Sequence, residues 1–392
     1  MTNRKLHVLL VALSFFCFSR AAHADVGGPF SQWILLSTES SPPSARRAMS
    51  SAFDAQTGSL FVFGGTNGGC GSACDFNDVW FLPFGPDPDW IELETAGTPP
   101  APRTGASAAF DSSNSQLIVF GGGEGSSSPC ANDTWVLSNA NIINDGVATW
   151  SQLNPLGGSP AARIFHTAVY DPGSNRMIVF GGNNCLTSGV QYYNDIWVLS
   201  NANGLSGTPA WIQLTVTGSV PAARENHTAV YDSASNRMII FGGANGSGQL
   251  NDVWVLSNAN GVSGTPAWTQ LSPAGVAPSP RGGSTATYDP VTNRMTIFGG
   301  NNPGTTFNDV WVLSNANGVS GIPSWTQIQP SSTLPSARSE QSAAFNPYTN
   351  QMVIFGGGDS GGPFNDAWVL TNASGALVIT STTLPTGHLQ LP

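Results

Sequence analysis

The chain has 392 residues, of which 46 are Gly and 28 are Pro, and only 9% are charged, against about 25% in an ordinary soluble domain. A 40% hydrophobic share and twelve Trp exclude a disordered chain, and Gly and Pro at this density exclude long helices. The formal net charge of −10 argues against nucleic acid or an anionic membrane as a partner.

In chain order, residues 1–24 read as a secretory signal. Arg4 and Lys5 form a charged start, Leu6 to Phe18 an apolar stretch, and Ala22-His23-Ala24 a small-x-small cleavage site. Cys17 lacks the small residues that precede a lipidated Cys, so a soluble protein is expected, secreted or periplasmic after cleavage near Ala24. No later segment is long and apolar enough to span a membrane. Lys5 is the only lysine, so the processed chain carries ten Arg against 23 acidic residues. It also carries Cys70, Cys74, Cys130 and Cys185, an even count that in an exported chain points to disulfides.

Residues 25–375 are then dominated by a repeat. Phe-Gly-Gly begins at Phe63, Phe120, Phe180, Phe241, Phe298 and Phe355, at intervals of 57, 60, 61, 57 and 57 residues. Asn-Asp-x-Trp follows each, ending at Trp80, Trp135, Trp197, Trp254, Trp311 and Trp368. A second Trp comes later, at Trp90, Trp150, Trp211, Trp268 and Trp325, and an Arg opens each copy: Arg46, Arg103, Arg163, Arg224, Arg281 and Arg338. Each copy reads as four short strands, a to d, exemplified by His166–Tyr170, Arg176–Phe180, Asp195–Leu199 and Trp211–Leu214. The turn Asp171-Pro-Gly-Ser-Asn175 joins a to b, its Asp and Asn able to bond their own backbone. Four strands recurring at this spacing predict an all-β propeller of six blades. The sixth second-class Trp is Trp33 in Gln32-Trp33-Ile34-Leu35, so the N-terminal strand is expected to complete the last blade and close the ring.

These motifs resemble the Kelch repeat, in an exported bacterial form with six copies: a Gly-Gly pair after strand b, a Trp on strand c and a second Trp on strand d. The resemblance covers residues 32–370 and implies a six-bladed Kelch β-propeller, a fold that hosts protein-binding modules and sugar-processing enzymes alike. Beyond it, Ala376–Thr380 and Thr383–Gly387 resemble the opening strand of bacterial immunoglobulin-like surface domains, which makes 376–392 a tail, either the start of a truncated domain or a chance likeness.

Several motifs carry possible chemistry. Gly358-Asp-Ser-Gly-Gly-Pro363 matches the nucleophile segment of trypsin-like serine proteases, but that mechanism needs a His base and a buried Asp. None of His166, His227 and His388 sits in the matching context, so the hexapeptide reads as a Gly-rich b–c loop. Copper radical chemistry would need two His, two Tyr and a Cys; Tyr170, Tyr231 and Tyr288 read instead as packing residues at the end of strand a. Resemblance to the sialic-acid mutarotases would make Glu225 beside Arg224, and Glu340 near Arg338, an acid–base group with a cationic partner. The Asn-Asp pairs suit turn capping before strand c rather than calcium. No catalytic residue, cofactor or metal ion is assigned.

The expected role is an exported binding module for a protein or glycan ligand, with a sugar isomerase as the alternative. The repeat Arg either ring one channel mouth and bind anions or bond carbonyls of the adjoining blade. Arg176, Arg237 and Arg294 are expected to be solvated on the opposite face. The d–a and b–c loops should share one face, and the b–c loops run 11, 9, 11, 7, 7 and 7 residues, with all four Cys in the three long ones. Of the three connectivities that four Cys allow, Cys70–Cys74 with Cys130–Cys185 is the expected one, the other two staying open, with zinc as the alternative to disulfides. The c–d loops of the other face repeat Asn-Ala-Asn-Gly at Asn201, Asn258 and Asn315 and offer little asymmetry. The candidate ligand site is therefore Arg163, Arg224, Glu225, His166, His227, Tyr192 and Tyr193.

Overall fold

A computed structural model describes residues 31–68, 74–85, 88–123, 130–141 and 146–375. The expected signal (1–24), Cys70 and the tail (376–392) lie outside them. Among the described residues every regular element is a β-strand, arranged as six antiparallel blades around one axis.

The third blade shows the unit. Strands a (Thr167–Asp171), b (Arg176–Phe180), c (Ile196–Ser200) and d (Ala210–Gln213) lie in sequence order, each paired with the next. The expected strands are displaced by one residue at a, c and d. The a–b turn ends on Asn175 at φ 51°, a left-handed conformation that Asn tolerates better than most residues.

After Arg176, strand b is apolar to its end because a blade lies against each of its faces. Ile178 and Phe180 pack toward Met238 and Ile240 of the fourth blade, while Met177 and Val179 pack toward Ile118 and Phe120 of the second. Alternation therefore puts every apolar side chain into one of two inter-blade cores. Full burial of each such side chain is worth roughly 1.5–3 kcal/mol.

The two Trp classes do different work. Each second-class Trp packs on the Phe of the preceding blade's Phe-Gly-Gly: Trp211 on Phe120, Trp268 on Phe180, Trp325 on Phe241 and Trp150 on Phe63. The series continues across the chain ends. Trp33 lies 4.9 Å from Phe298, and Trp90 lies 4.6 Å from Phe355. Gln32–Leu35 is indeed strand d of the last blade, antiparallel to Ala367–Thr371 with Trp33 opposite Leu370. Outer edges are blunted too, since among the described residues four of the d–a segments pair in parallel with the next strand d, as Leu156 does with Ala210 and Thr217 with Ala267.

Gly-Gly is required by the axis. A Cβ on Gly181 would lie 2.8 Å from the Arg224 carbonyl, and one on Gly182 2.7 Å from the Ile164 carbonyl. At the axis itself, six left-handed residues form a closed hydrogen-bonded belt. The amides of Gly105, Phe165, Asn226, Gly283, Glu340 and Ala48 each donate to the carbonyl of the equivalent residue one blade back, over 2.7–3.0 Å. The belt leaves an axial cavity of about 120 Å³.

Candidate functional site

The repeat Arg set the character of the mouth where d–a and b–c loops emerge. All six are buried, and each makes a two-pronged ion pair with the Asp of Asn-Asp-x-Trp in its own blade. Arg163 is typical. Its two terminal nitrogens reach the Asp195 carboxylate at 2.8 and 2.9 Å, while Nη1 also donates to the Gly181 carbonyl and Nε to the Ala161 carbonyl. Arg224 repeats this with Asp252, Gly242 and Ala222. The Tyr193 ring covers the Arg163 guanidinium at 4.4 Å. The planar fork of arginine matches a carboxylate, and here that carboxylate is supplied by the chain itself. An anion-binding ring is therefore not what these six side chains form. Burial pushes the Asp195 and Asp252 carboxyls up, but the hydrogen bond and charge of Arg163 and Arg224 outweigh it and hold both below the usual range.

The Asn-Asp pair is likewise more than a turn cap. The Asp accepts from the indole of the Trp two residues on, at 2.7 Å in every blade. The Asn amide donates to a Pro carbonyl of the d–a loop, as Asn251 does to Pro278. On the opposite face Arg176, Arg237 and Arg294 are not merely solvated: they donate to the carbonyls of Asn260, Asn317 and Ser374 in the next blade.

His166 and His227 are buried between blades. His166 Nε2 lies 2.8 Å from Ser107 Oγ, and His227 Nε2 lies 2.8 Å from Thr167 Oγ1, each partner on the preceding blade's strand a. Burial, then the charge of Arg163, pushes His166 down to about 3. Burial, then Arg224, pushes His227 well down. Both are neutral at pH 7. Tyr170, Tyr231 and Tyr288 sit at the other end of strand a, donating to Asn175, Asn236 and Asn293. The His and Tyr of a copper radical centre are thus held apart.

Glu225 and Tyr192 do come together. Both line a groove of about 400 Å³ on the Arg-bearing side, beside the belt. Thr66, Gly68 and Asp75 of the first blade form one wall. Asn183, Cys185, Leu186, Thr187, Val190 and Tyr192, all from the b–c loop of the third blade, form the other. Thr104, Ile164, Phe165 and Glu225, each next to a repeat Arg or one residue on, make the floor. The groove falls within the 300–1,000 Å³ of ordinary ligand pockets, whereas the axial cavity does not.

Glu225 is half-buried and accepts a hydrogen bond from the Asn183 amide. Burial pushes its carboxyl up and the neighbouring charge of Glu340 adds to this, while the Asn183 bond opposes. Glu340 is itself pushed up by burial, with Arg47 opposing at 3.8 Å. The acid and cation expected for a sugar isomerase are therefore not paired, because Arg224 and Arg338 turn inward to Asp252 and Asp366. Asn183, Leu186 and Val190 escaped the sequence reading; their only signal was membership of a long b–c loop.

A disulfide joins Cys130 to Cys185 across the second and third blades, with Cα atoms 5.6 Å apart. Cys74 is also disulfide-bonded. Zinc is thus left without these thiols. The Gly358–Pro363 hexapeptide is a two-stranded ribbon in the b–c loop of the last blade, with the Gly361 amide bonded to Asp359.

The comparisons with known proteins agree with this architecture. The KLHDC2/KLHL20/DRC7 Kelch-repeats domain matches residues 30–144, 139–263 and 263–386. Host cell factor 2 of Homo sapiens is 29% identical over 62% of this chain and 29% of its own length. The leucine-zipper-like transcriptional regulator 1 homolog of Drosophila melanogaster is 29% identical over 76% of this chain and 28% of its own. The flagellar outer-arm dynein alpha chain of Chlamydomonas reinhardtii is 29% identical over 56% of this chain and 5% of its own. The chain thus spans under a third of the length of each of these relatives. A solved structure titled "Structure of YjhT" superposes with a TM-score of 0.58 at 17% identity, over 83% of this chain and 95% of that one, a likeness of fold alone. With three consecutive matches spanning all six blades, the chain belongs to the Kelch-repeat family described as the KLHDC2/KLHL20/DRC7 Kelch-repeats domain.

Proposed function

We propose that the chain is an exported interaction module that holds a protein or glycan ligand in the groove over its first four blades. The observation that carries this is the groove itself, built where six otherwise repetitive units diverge. The repeat chemistry of Arg, Asp, Gly-Gly and both Trp is spent on the fold, and what remains at this mouth is a set of b–c loops unequal in length and sequence. Variation on a rigid frame is where binding surfaces arise. The Cys130–Cys185 bridge pins the loop that forms one wall, and it suits the oxidising compartment that residues 1–24 would lead to.

The test is a peptide and glycan binding screen, followed by two variants of equal surface character. Leu186→Asp alters the groove, and Leu205→Asp alters an exposed c–d loop on the opposite face. Loss of binding in the first and retention in the second is expected. The reverse result, with both proteins folded, would move the site to the other face. Protein recovered outside the cytoplasm should begin near Asp25; an intact Met1 terminus would remove the export reading.

A further inference from the structure

We propose that the groove takes the basic side chain of an extended peptide segment, an arginine or lysine, with its head on Glu225 and its methylene stem on the apolar wall. This rests on the reading of the groove as the binding site and names its partner's chemistry. Three observations converge on it.

The first is shape. At about 400 Å³ the groove has room for a long side chain, and it presents Leu186 and Val190 on one wall above Ile164 of the floor. Leu186 and Val190 are 54% and 41% exposed, so apolar surface is open where a stem would lie. Long basic side chains bury such stems while keeping the charged head on a polar group.

The second is charge. The six repeat Arg of this face are consumed by their own aspartates. Two carboxylates, Glu225 and Asp75, line the groove, and the charge of Glu340, which borders the axial cavity and lies 3.8 Å from Arg47, reaches Glu225. The mouth is thus locally acidic, and the repulsion between Glu225 and Glu340 is one that an incoming cation relieves.

The third is the state of Glu225. Asn183 orients its carboxylate, and burial removes water from it. A half-desolvated, oriented carboxylate gains more from a charged donor than from a neutral hydroxyl. That favours a basic peptide over a sugar, to which Glu225 would offer an ordinary acceptor. Tyr192 on the same wall adds an aromatic face for a cation.

The experiment pans the disulfide-intact protein against a displayed random heptapeptide library, with a glycan array alongside. Enrichment of Arg or Lys at one position is expected, with affinity for the selected peptide falling as salt rises. Glu225→Gln should weaken that peptide by about tenfold or more while leaving the melting temperature unchanged. Enriched peptides that are acidic or purely apolar would overturn the basic-residue inference but leave the groove as the site if Leu186→Asp abolishes their binding. A glycan hit lost in Leu186→Asp, without any basic peptide, would overturn it in favour of a sugar. Basic peptides that bind Glu225→Gln and Leu186→Asp unchanged would overturn both the inference and the site.

Discussion

At the residue scale, the buried Arg–Asp pair is the device on which each blade depends. One guanidinium ties together the d–a loop, the Gly-Gly carbonyl and the aspartate that also holds the strand-c Trp. Breaking such a pair from the Arg side leaves a mostly buried carboxylate that keeps its Trp indole but loses the guanidinium, and losing one partner of a buried pair typically costs about 3–5 kcal/mol. Arg224→Ala is therefore expected to destabilise the protein by about that much, measured by urea denaturation. Asn251→Ala, which removes one neutral side-chain bond to Pro278, should cost about 1 kcal/mol. Similar losses from the two variants would mean that the ion pair holds no more than an ordinary hydrogen bond. Substituting Arg163 and Arg224 to probe anion binding would thus report on folding first.

The buried histidines set a pH response at the same scale. Their folded pKa values lie below the ordinary 6.5, so below pH 6.5 the unfolded chain binds protons that the folded chain refuses. Stability must fall as pH drops from 6.5 toward about 3, before the depressed aspartates take up protons. Glu225 and Glu340, with raised pKa values, work in the opposite direction over the carboxylate range. A His166→Gln/His227→Gln variant should lose much of the slope of stability against pH between 6.5 and 4.5. An unchanged slope in urea midpoints across that interval would show that the two imidazoles protonate without unfolding.

At the scale of elements, the strand that matters most is the one borrowed from the other end of the chain. Gln32–Leu35 covers the Ala367–Thr371 edge, and Trp33 fills the site against Phe298 that every blade fills with its own second-class Trp. Trp33→Ala should cost roughly 3–5 kcal/mol, the range for a large aromatic removed from a packed core. Deleting residues 25–36 should cost more, because it also opens a sheet edge, and aggregation is the expected companion. Melting curves of both variants decide this. A deletion variant as stable and monomeric as the parent would mean that the last blade stands on three strands.

Element by element, legibility followed repetition. Strand b, the Gly-Gly turn and both Trp classes recur six times, so their spacing betrayed them. Even Trp33 was recoverable, since a closed ring requires equal numbers of each class. The Arg–Asp pairing was harder to see, because its partners lie 28–32 residues apart on different loops. A signal did exist: both residues recur in every copy, and a buried cation must find a partner in each. The groove left almost no signal, because its walls come from residues of the first and third blades, and its floor from the second, third and fourth, that share no pattern.

At the scale of the whole molecule, the amino-acid sequence determined the number of blades and the closure of the ring, while it left the pairing of Cys130 with Cys185 as one of three connectivities. The blade number and the closure follow from periodicity and counting, which are properties of the chain in one dimension. Only the tertiary structure decided which charges are spent and which are left. Curling six units around an axis turned the arginines inward onto their aspartates, closed the mouth with a hydrogen-bonded belt, and shifted the open volume to one side of it. Burial reversed the apparent sign of that face, from a ring of cations in the sequence to an acidic groove in the fold. Whether a charge is available to a partner depends on what surrounds it in space, and the sequence carries no direct record of that.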